Sequence, residues 1–516
     1  MNPPLKSFPI KLLVALAGVT LLAGCASVTR SYDSESQATL QHANTGNIDQ
    51  ALLALEANNT STDKDLVYYL EKGELSRLQN NYQGSREALL KADEKITIWE
   101  AEAKNNPEQL LGLAGSVLVN DKVMRYDGQD YEKVMASTKL ALTHIALGDM
   151  NAARIEIKKT HEREAVIQEF RDKEYAEIEA EAKEKGQQAS FKTLEGYPVE
   201  TLNDPEVTAL KNGYQNAFSH YLSGFVYEAL NEPGLAAAGY RTAIELRPGL
   251  PFLEKGLAEL GKRGLQSDSK PVSKKSKKRK GEAESETTTS GDSADVLFVV
   301  ESGSIAGRQS VSLPLPIPTS GGMVIAPVTF PVIKSDKSTS TPDALQIDKK
   351  PLKLTKVANL DAMAQRCLSD DMPGIILRST LRAALKGTLQ HQAGKYAGPL
   401  GQILATVATV TTEGADERAW RSLPKDVSLA RAPMKSGEYD VYLYGQSLKV
   451  NIQPGAQIVN LRKMGGKLYL VQPNTPYTPP VISIPADAQP AAATENNAAP
   501  ATTEPSPIGA STQEVI

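Results

Sequence analysis

Cysteine is nearly absent from this chain: its 516 residues include two, Cys25 and Cys367. No disulfide framework can therefore hold the fold, and stability must come from core burial. Histidine is also scarce, with His42, His144, His161, His220 and His391 spread over separate stretches of helical pattern. His161-Glu162-Arg163-Glu164-Ala165 opens like a zinc-protease helix but lacks the second histidine one turn on, so two-point metal ligation fails. No Gly-x-Ser-x-Gly elbow and no phosphate-binding Gly-x-x-x-x-Gly-Lys-Ser/Thr loop occurs. Asp370-Asp371 precede Met372-Pro373-Gly374 and read as helix-ending turn residues rather than paired acids. The expectation is a protein with no catalytic residues, no metal and no cofactor beyond a covalent lipid. A net charge of −4 gives no basic excess for nucleic acid.

Long apolar runs are likewise missing, with one exception at the N-terminus. Lys6 and Lys11 precede Leu12 to Leu22, a run too short and wrongly flanked to span a bilayer. It ends in Leu22-Ala23-Gly24-Cys25. This sequence resembles the bacterial lipobox, which implies a signal peptide over 1–24 and acylation of Cys25 as the mature N-terminus. An ordinary secretory signal with an incidental cysteine is the alternative. One acyl chain anchors reversibly, at about 0.8 kcal/mol per buried methylene. The resemblance implies two or three chains, palmitate among them, and firm anchoring. The residues after the cysteine are Ala26 and Ser27 rather than Asp, which by the family's sorting rule implies the outer membrane, facing the periplasm.

From 25 to 262 the pattern is helical, with apolar residues at three- and four-residue spacing and no β-branched runs. The clearest internal repeat carries Gly224, Tyr227, Ala236, Tyr240, Ala243 and Pro248. A small residue stands where two helices cross, an aromatic fills the next groove, and a proline stops the second helix. Gly46-Asn47, Asn80-Asn81 and Gly148-Asp149 mark three weaker copies. The segment resembles the tetratricopeptide repeat, with a generic helical bundle as the alternative. The charged stretch 160–186 favours a solvated helix extending from the stack. Stacked helix pairs create a concave groove suited to extended peptides or helices of partner proteins. Tyr69, His144, His220 and Tyr227 are the candidate groove residues.

Composition changes at 263–294. Lys270, Lys274, Lys275, Lys277, Lys278, Arg279 and Lys280 are followed by Glu282, Glu284 and Glu286, with no apolar set to offset ordering entropy. This predicts a flexible linker. A second domain over 295–473 opens with Val296-Leu297-Phe298-Val299-Val300, a buried strand. It continues with a proline-rich extended stretch over 311–332 and two helices, 358–368 and 375–392. A small-residue helix over 396–412 follows, which is a buried cover for a sheet, with an oligomer contact or a membrane-dipping segment as the alternatives. Strands over 426–431 and 439–444, joined by a hairpin turn at Lys435-Ser436-Gly437, lead to three further strands. The expected class is thus multidomain, with an all-α tetratricopeptide-like array before a smaller α+β domain built on an antiparallel sheet. The Pro, Ala and Thr-rich tail 474–516 predicts disorder.

Trp420, Leu423-Pro424, Leu429-Ala430-Arg431 and Gly437-Glu438-Tyr439-Asp440 resemble the C-terminal signature of a proteobacterial family of repeat-containing lipoproteins. That resemblance brings no activity, substrate or catalytic residue. Trp420 and Arg431 admit two readings. They form either an exposed pair for a glycan or partner, or a structural unit with Arg431 stacked on the tryptophan or paired with Asp440. Together these features predict a membrane-anchored, non-enzymatic scaffold or assembly factor that binds envelope proteins through its helical repeats. An oligomeric part of an export or appendage apparatus and a cell-wall or polysaccharide binder are the alternatives. Oligomeric state stays open.

Overall fold

Local capping chemistry accounts for the first half of the chain. The computed structural model describes residues 31–111, 124–184, 194–267, 292–319, 322–336, 341–384 and 415–472. Cys25, the lysine cluster at 270–280, His391, the small-residue segment 396–412 and the tail from 474 lie outside the described residues. Among the described residues, eleven α-helices precede the first strand. Four pairs dominate: α1 (Tyr32–Asn44) with α2 (Ile48–Ala57), α3 (Leu66–Leu78) with α4 (Tyr82–Asn105), α6 (Asp130–Ala146) with α7 (Met150–Glu184), and α9 (Ala217–Ala229) with α10 (Pro233–Leu246). The short helices α5 (Pro107–Leu111) and α8 (Pro205–Thr208) and the closing helix α11 (Pro251–Ser267) complete the set.

Every pair turns in the same way. Gly46, Asn80, Gly148 and Asn231 each adopt a left-handed backbone, with φ of 94°, 65°, 81° and 59°. The amide of the residue after each donates back to the carbonyl five residues earlier: Asn47 to His42, Asn81 to Ser76, Asp149 to His144 and Glu232 to Tyr227, at 2.8–2.9 Å. This is the glycine-or-asparagine C-cap that satisfies orphan carbonyls at a helix end. Within the pairs, small residues permit close approach. A Cβ on Gly224 would lie 2.5 Å from the Tyr240 ring, and one on Gly73 would lie 2.6 Å from Leu89. Ala236, Tyr240 and Ala243 are fully buried, and α10 stops two residues before Pro248.

The second half builds three sheets. The strands are β1 (Ser293–Ser302), β2 (Arg308–Thr319), β3 (Gly322–Ile333), β4 (Ala344–Ile347), β5 (Lys350–Lys353), β6 (Thr355–Asn359), β7 (Asp426–Lys435), β8 (Gly437–Leu443), β9 (Gln446–Ile452), β10 (Gly455–Met464) and β11 (Lys467–Val471). A five-stranded sheet runs β11-β10-β1-β7-β6, a four-stranded sheet runs β5-β4-β8-β9, and β2 pairs with β3 alone. Pairing is antiparallel except between β1 and β10, which are parallel.

The Val-Leu-Phe run of β1 is apolar on both faces because both faces are covered. Leu297 and Val299 join the core beneath the helices, whereas Val296, Phe298 and Val300 join a second core against the four-stranded sheet. Helices, five-stranded sheet and four-stranded sheet thus form three layers, and the helical array shares its main core with the sheet.

Two expected local features turn out differently. Lys435-Ser436-Gly437 does not close a hairpin. Strand β7 pairs with β1 and β6 while β8 pairs with β4 and β9, so the turn is a corner carrying the chain from one sheet to the other. Gly437, at φ 149°, supplies the bend. Nor does Pro373-Gly374 separate two helices: one helix, α12, runs through residues 360–384. The proline forfeits one backbone bond. Buried Met372, Ile375 and Ile376, together with the ion pairs of Asp371, hold the turn on either side of it. Gly374 also lets α7 approach closely, since a Cβ there would meet Ile178 at 2.9 Å.

Candidate binding cleft and the closed inner face of the helical array

The first helix of each pair contributes a polar contact to the sheet, to its β10–β11 turn or to the segment that leads into β7. At α1, Ala43 accepts from the Tyr469 hydroxyl at 2.6 Å and Asn44 accepts from the Gly466 amide at 3.0 Å. At α3, Glu71 accepts from the Ser422 amide at 3.2 Å and also from that of Arg421. At α6, Glu132 accepts from the Trp420 amide at 2.7 Å. At α9, Glu228 pairs with Arg431 at 3.0 Å. The protein's own sheet therefore occupies the side of the array that a partner peptide was expected to fill.

A buried ionic knot lies at the centre of this contact. Glu74 and Arg77 on α3, Lys139 on α6, Glu301 on β1 and Arg462 on β10 are all fully buried. Lys139 Nζ lies 3.0 Å from Glu74 and 2.8 Å from Glu301, and Arg77 lies 2.8 Å and 2.9 Å from the same two carboxylates. Arg77 also donates to Asn460 at 2.6 Å, and Arg462 donates to the Ser422 carbonyl at 3.0 Å. Burial opposes ionisation of both glutamates, but the surrounding cations outweigh it and hold their carboxyls below the usual range. Burial and the neighbouring Arg77 depress the Lys139 ammonium. Glu71 has backbone donors and no such knot, and burial pushes its carboxyl up to about 7.

The candidate groove residues are consumed by packing. His144, His220 and Tyr227 are buried, and Tyr69 is half-buried beside Tyr68. His220 contacts Glu164 at 3.1 Å and stacks on His161 at 4.9 Å. Arg154 covers the Tyr227 ring. Trp420 is fully buried, with its indole N–H donating to Ser422 at 2.9 Å, so it is no glycan platform. Arg431 neither stacks on Trp420 nor pairs with Asp440. It binds Asp295, Glu228 and the Tyr240 hydroxyl and lies over the Phe225 ring, tying the sheet to the last helix pair. Asp440 instead pairs with Lys449 at 3.1 Å. Pro424 is buried, whereas Gly437 and Asp440 are exposed and Tyr439 is half-exposed. Cys367 is a buried free thiol.

Besides a cleft of about 600 Å³ lined by Glu206, Lys356 and Asp426, two adjoining clefts stay open, a smaller one where α4, α6, α7 and α12 meet β2, β3 and residues 415–418, and a larger one between α7, α12 and residues 211–215. Their volumes are about 280 Å³ and 460 Å³, and both are lined by Asp130, Arg171 and Asp371. Arg171 bridges Asp130 at 2.6 Å and Asp371 at 2.7 Å, while Arg308 approaches Asp371 from β2 at 3.6 Å. Burial opposes ionisation of Asp130, but Arg171 and Lys133 outweigh it and hold its carboxyl at about 2. Lys133 lies 3.8 Å over the Trp99 ring, which meets Phe170 edge-on. Seven basic side chains line the smaller cleft against five acidic ones. Among the described residues, no group of three His, Cys, Asp or Glu side chains is placed to hold a metal.

No protein-family model, curated protein or solved structure matches the chain. What it does has to be argued from its own geometry.

The ionic knot escaped sequence reasoning because its members lie far apart, with Glu301 separated by 162 residues from Lys139 and by 224 from Arg77. One signal was present: Glu301 directly follows the β1 apolar run, at the register parity of Leu297 and Val299.

Proposed function

We propose that this protein is a lipid-anchored component of the cell envelope, directed to the outer membrane, that works as a non-enzymatic protein-binding scaffold. In this reading Cys25 carries the lipid, and the four helix pairs are divergent tetratricopeptide-type repeats. Their shared turn geometry and their small-residue crossings at Gly73 and Gly224 support that reading. The repeats here brace a sheet through their inner face, so the partner engages elsewhere.

The observation that carries the assignment of a binding surface is the cleft between α4, α7 and α12. Arginine and aromatic side chains characterise the energetically dominant parts of protein interfaces. Trp99 and Phe170 line this cleft, and its basic side chains outnumber its acidic ones. Its ligand is accordingly an acidic segment of an envelope protein. A photo-crosslinking residue at position 378, in the native cell, tests this. The expected product is a discrete adduct with one envelope protein, weakened by high salt and absent when Arg418 is replaced by Glu. Crosslinking no greater at 378 than at the exposed position 53 would refute it.

A further inference from the structure

The β2–β3 ribbon is chemically unlike the rest of the chain. Charged residues make up 23% of the sequence, yet residues 309–333 include none. Among the described residues the ribbon pairs with no other strand, and its two faces differ. Val311, Leu313 and Leu315 oppose Phe330, Val328 and Ala326, and this face packs against the main core, where Tyr197 meets Phe330 edge-on. The other face carries Pro314, Pro316, Ile325, Met323 and Pro327 and is exposed. Met323 is 65% exposed and Ile325 75%. Large aliphatic side chains left this open mark a contact surface when they cluster.

Proline placement restricts what the contact can be. Pro314 pairs with Pro327, Pro316 with Ile325, Pro318 with Met323 and Ser310 with Pro331, so all five prolines occupy register pairs of one parity. Proline has no N–H, so it sits only where the strand's amide would point away from its partner. The outer edge of β2 therefore lacks three successive donors, at 314, 316 and 318. Another strand cannot extend the ribbon along that edge. Contact falls to the exposed face and tip, which offer no charge for an ion pair and no unblocked β2 edge for a ladder.

We infer that the tip of this ribbon, Met323 and Ile325 with the flanking prolines, is a membrane-contact element that dips into the apolar margin of a lipid bilayer. The base half is fixed to the core by Leu313, Val328 and Phe330. Toward the distal end, Pro316, Gly322, Met323 and Ile325 are exposed. At ~3.3 Å per residue they reach about 10 Å, the depth at which interfacial segments bury their apolar side. The inference rests on the lipid-anchored reading only for how the tip is brought to the bilayer, and the contact would orient the tethered body on the surface. Because the ribbon lacks Lys and Arg, the contact depends on neither anionic lipid nor salt.

The test places an environment-sensitive fluorophore on Met323→Cys in the full chain, with Gln309→Cys at the ribbon base as control. The buried Cys367 stays unlabelled. One sample is the acylated protein in phosphatidylcholine vesicles. A second carries Cys25→Ser and is tethered by a C-terminal hexahistidine to nickel-chelating lipid, which makes the result independent of acylation. Separate incorporation of labelled palmitate judges the anchor itself. The expected result is a blue-shifted emission at 323, quenched by nitroxides on the acyl chains, unchanged by phosphatidylglycerol or salt, and absent at 309. Ile325→Asp, at a site too exposed to disturb folding, weakens vesicle association of the untethered chain roughly tenfold. Absence of quenching at 323 in both samples overturns the inference. So does a probe at 323 that responds to an envelope protein and not to lipid.

Discussion

Replacing Glu301 by Gln removes one of two carboxylates from a buried knot that holds three cations, Arg77, Lys139 and Arg462. The shape is conserved and the charge is not. Lys139 keeps only Glu74 at 3.0 Å, and Arg77 shares that same group. Both cations are fully buried, so water cannot compensate them. Breaking a buried pair in this way costs about 3–5 kcal/mol, a large part of the ~5–15 kcal/mol that stabilises a typical domain. At ~2–4 °C per kcal/mol, thermal unfolding should move down by roughly 6–20 °C. Removing the exposed ion pairs of Lys449 with Glu438 and Asp440 by Lys449→Ala should shift unfolding far less. The assay is thermal unfolding followed by circular dichroism for both variants. A Glu301→Gln shift no larger than that of Lys449→Ala would show that the knot does not bind helices to sheet.

Three further outcomes follow from local geometry. Glu71 has a carboxyl raised from 4.5 to about 7, so its contribution is complete below pH 4.5 and is lost as pH rises through 7. The wild type should therefore lose about 3 kcal/mol relative to Glu71→Gln between pH 4.5 and pH 8 in denaturant titrations, and a constant difference would exclude this. Gly224→Ala drives a Cβ into the Tyr240 ring and should lower stability by about 1–3 kcal/mol, whereas Gly234→Ala, with open space at its Cβ, should be neutral or slightly stabilising; equal unfolding midpoints would refute the packing. Burial pushes the Cys367 thiol well up, so it should resist maleimide in the native protein and react once unfolded, as mass spectrometry would show; rapid native labelling would contradict its placement.

Much of the helical half was legible because its information is local. Gly46, Asn80 and Gly148 mark turns by residue type, and Gly224, Ala236, Tyr240 and Ala243 mark a crossing by size and spacing. Strands such as β1, β9 and β10 were visible for the same reason, through composition and alternation between turn residues. What the sequence concealed was which surfaces meet. His144 and Tyr227 have the character of groove residues but are buried among the helices, Arg154 of α7 lying over Tyr227, while a sheet from more than a hundred residues away engages Arg77, Lys139 and Glu228. The corner at Gly437 likewise looks like a hairpin turn until β7 and β8 find partners in different sheets. Pro373 resembles a helix stop, and ion pairs from α7 and β2 to Asp371 override it. The clefts around Arg171 combine segments far apart in the chain and have no linear signature.

Helices and sheet form one body, with the array's inner face already filled. A protease site inserted into the lysine-rich segment 270–280 of the full chain, cleaved under native conditions and followed by size-exclusion chromatography, tests it directly. The two fragments should stay together and elute at the volume of the uncut protein, separating when Glu301→Gln is combined with Arg77→Met. Fragments that part at neutral pH without those substitutions would mean that the inner face is open to a partner after all.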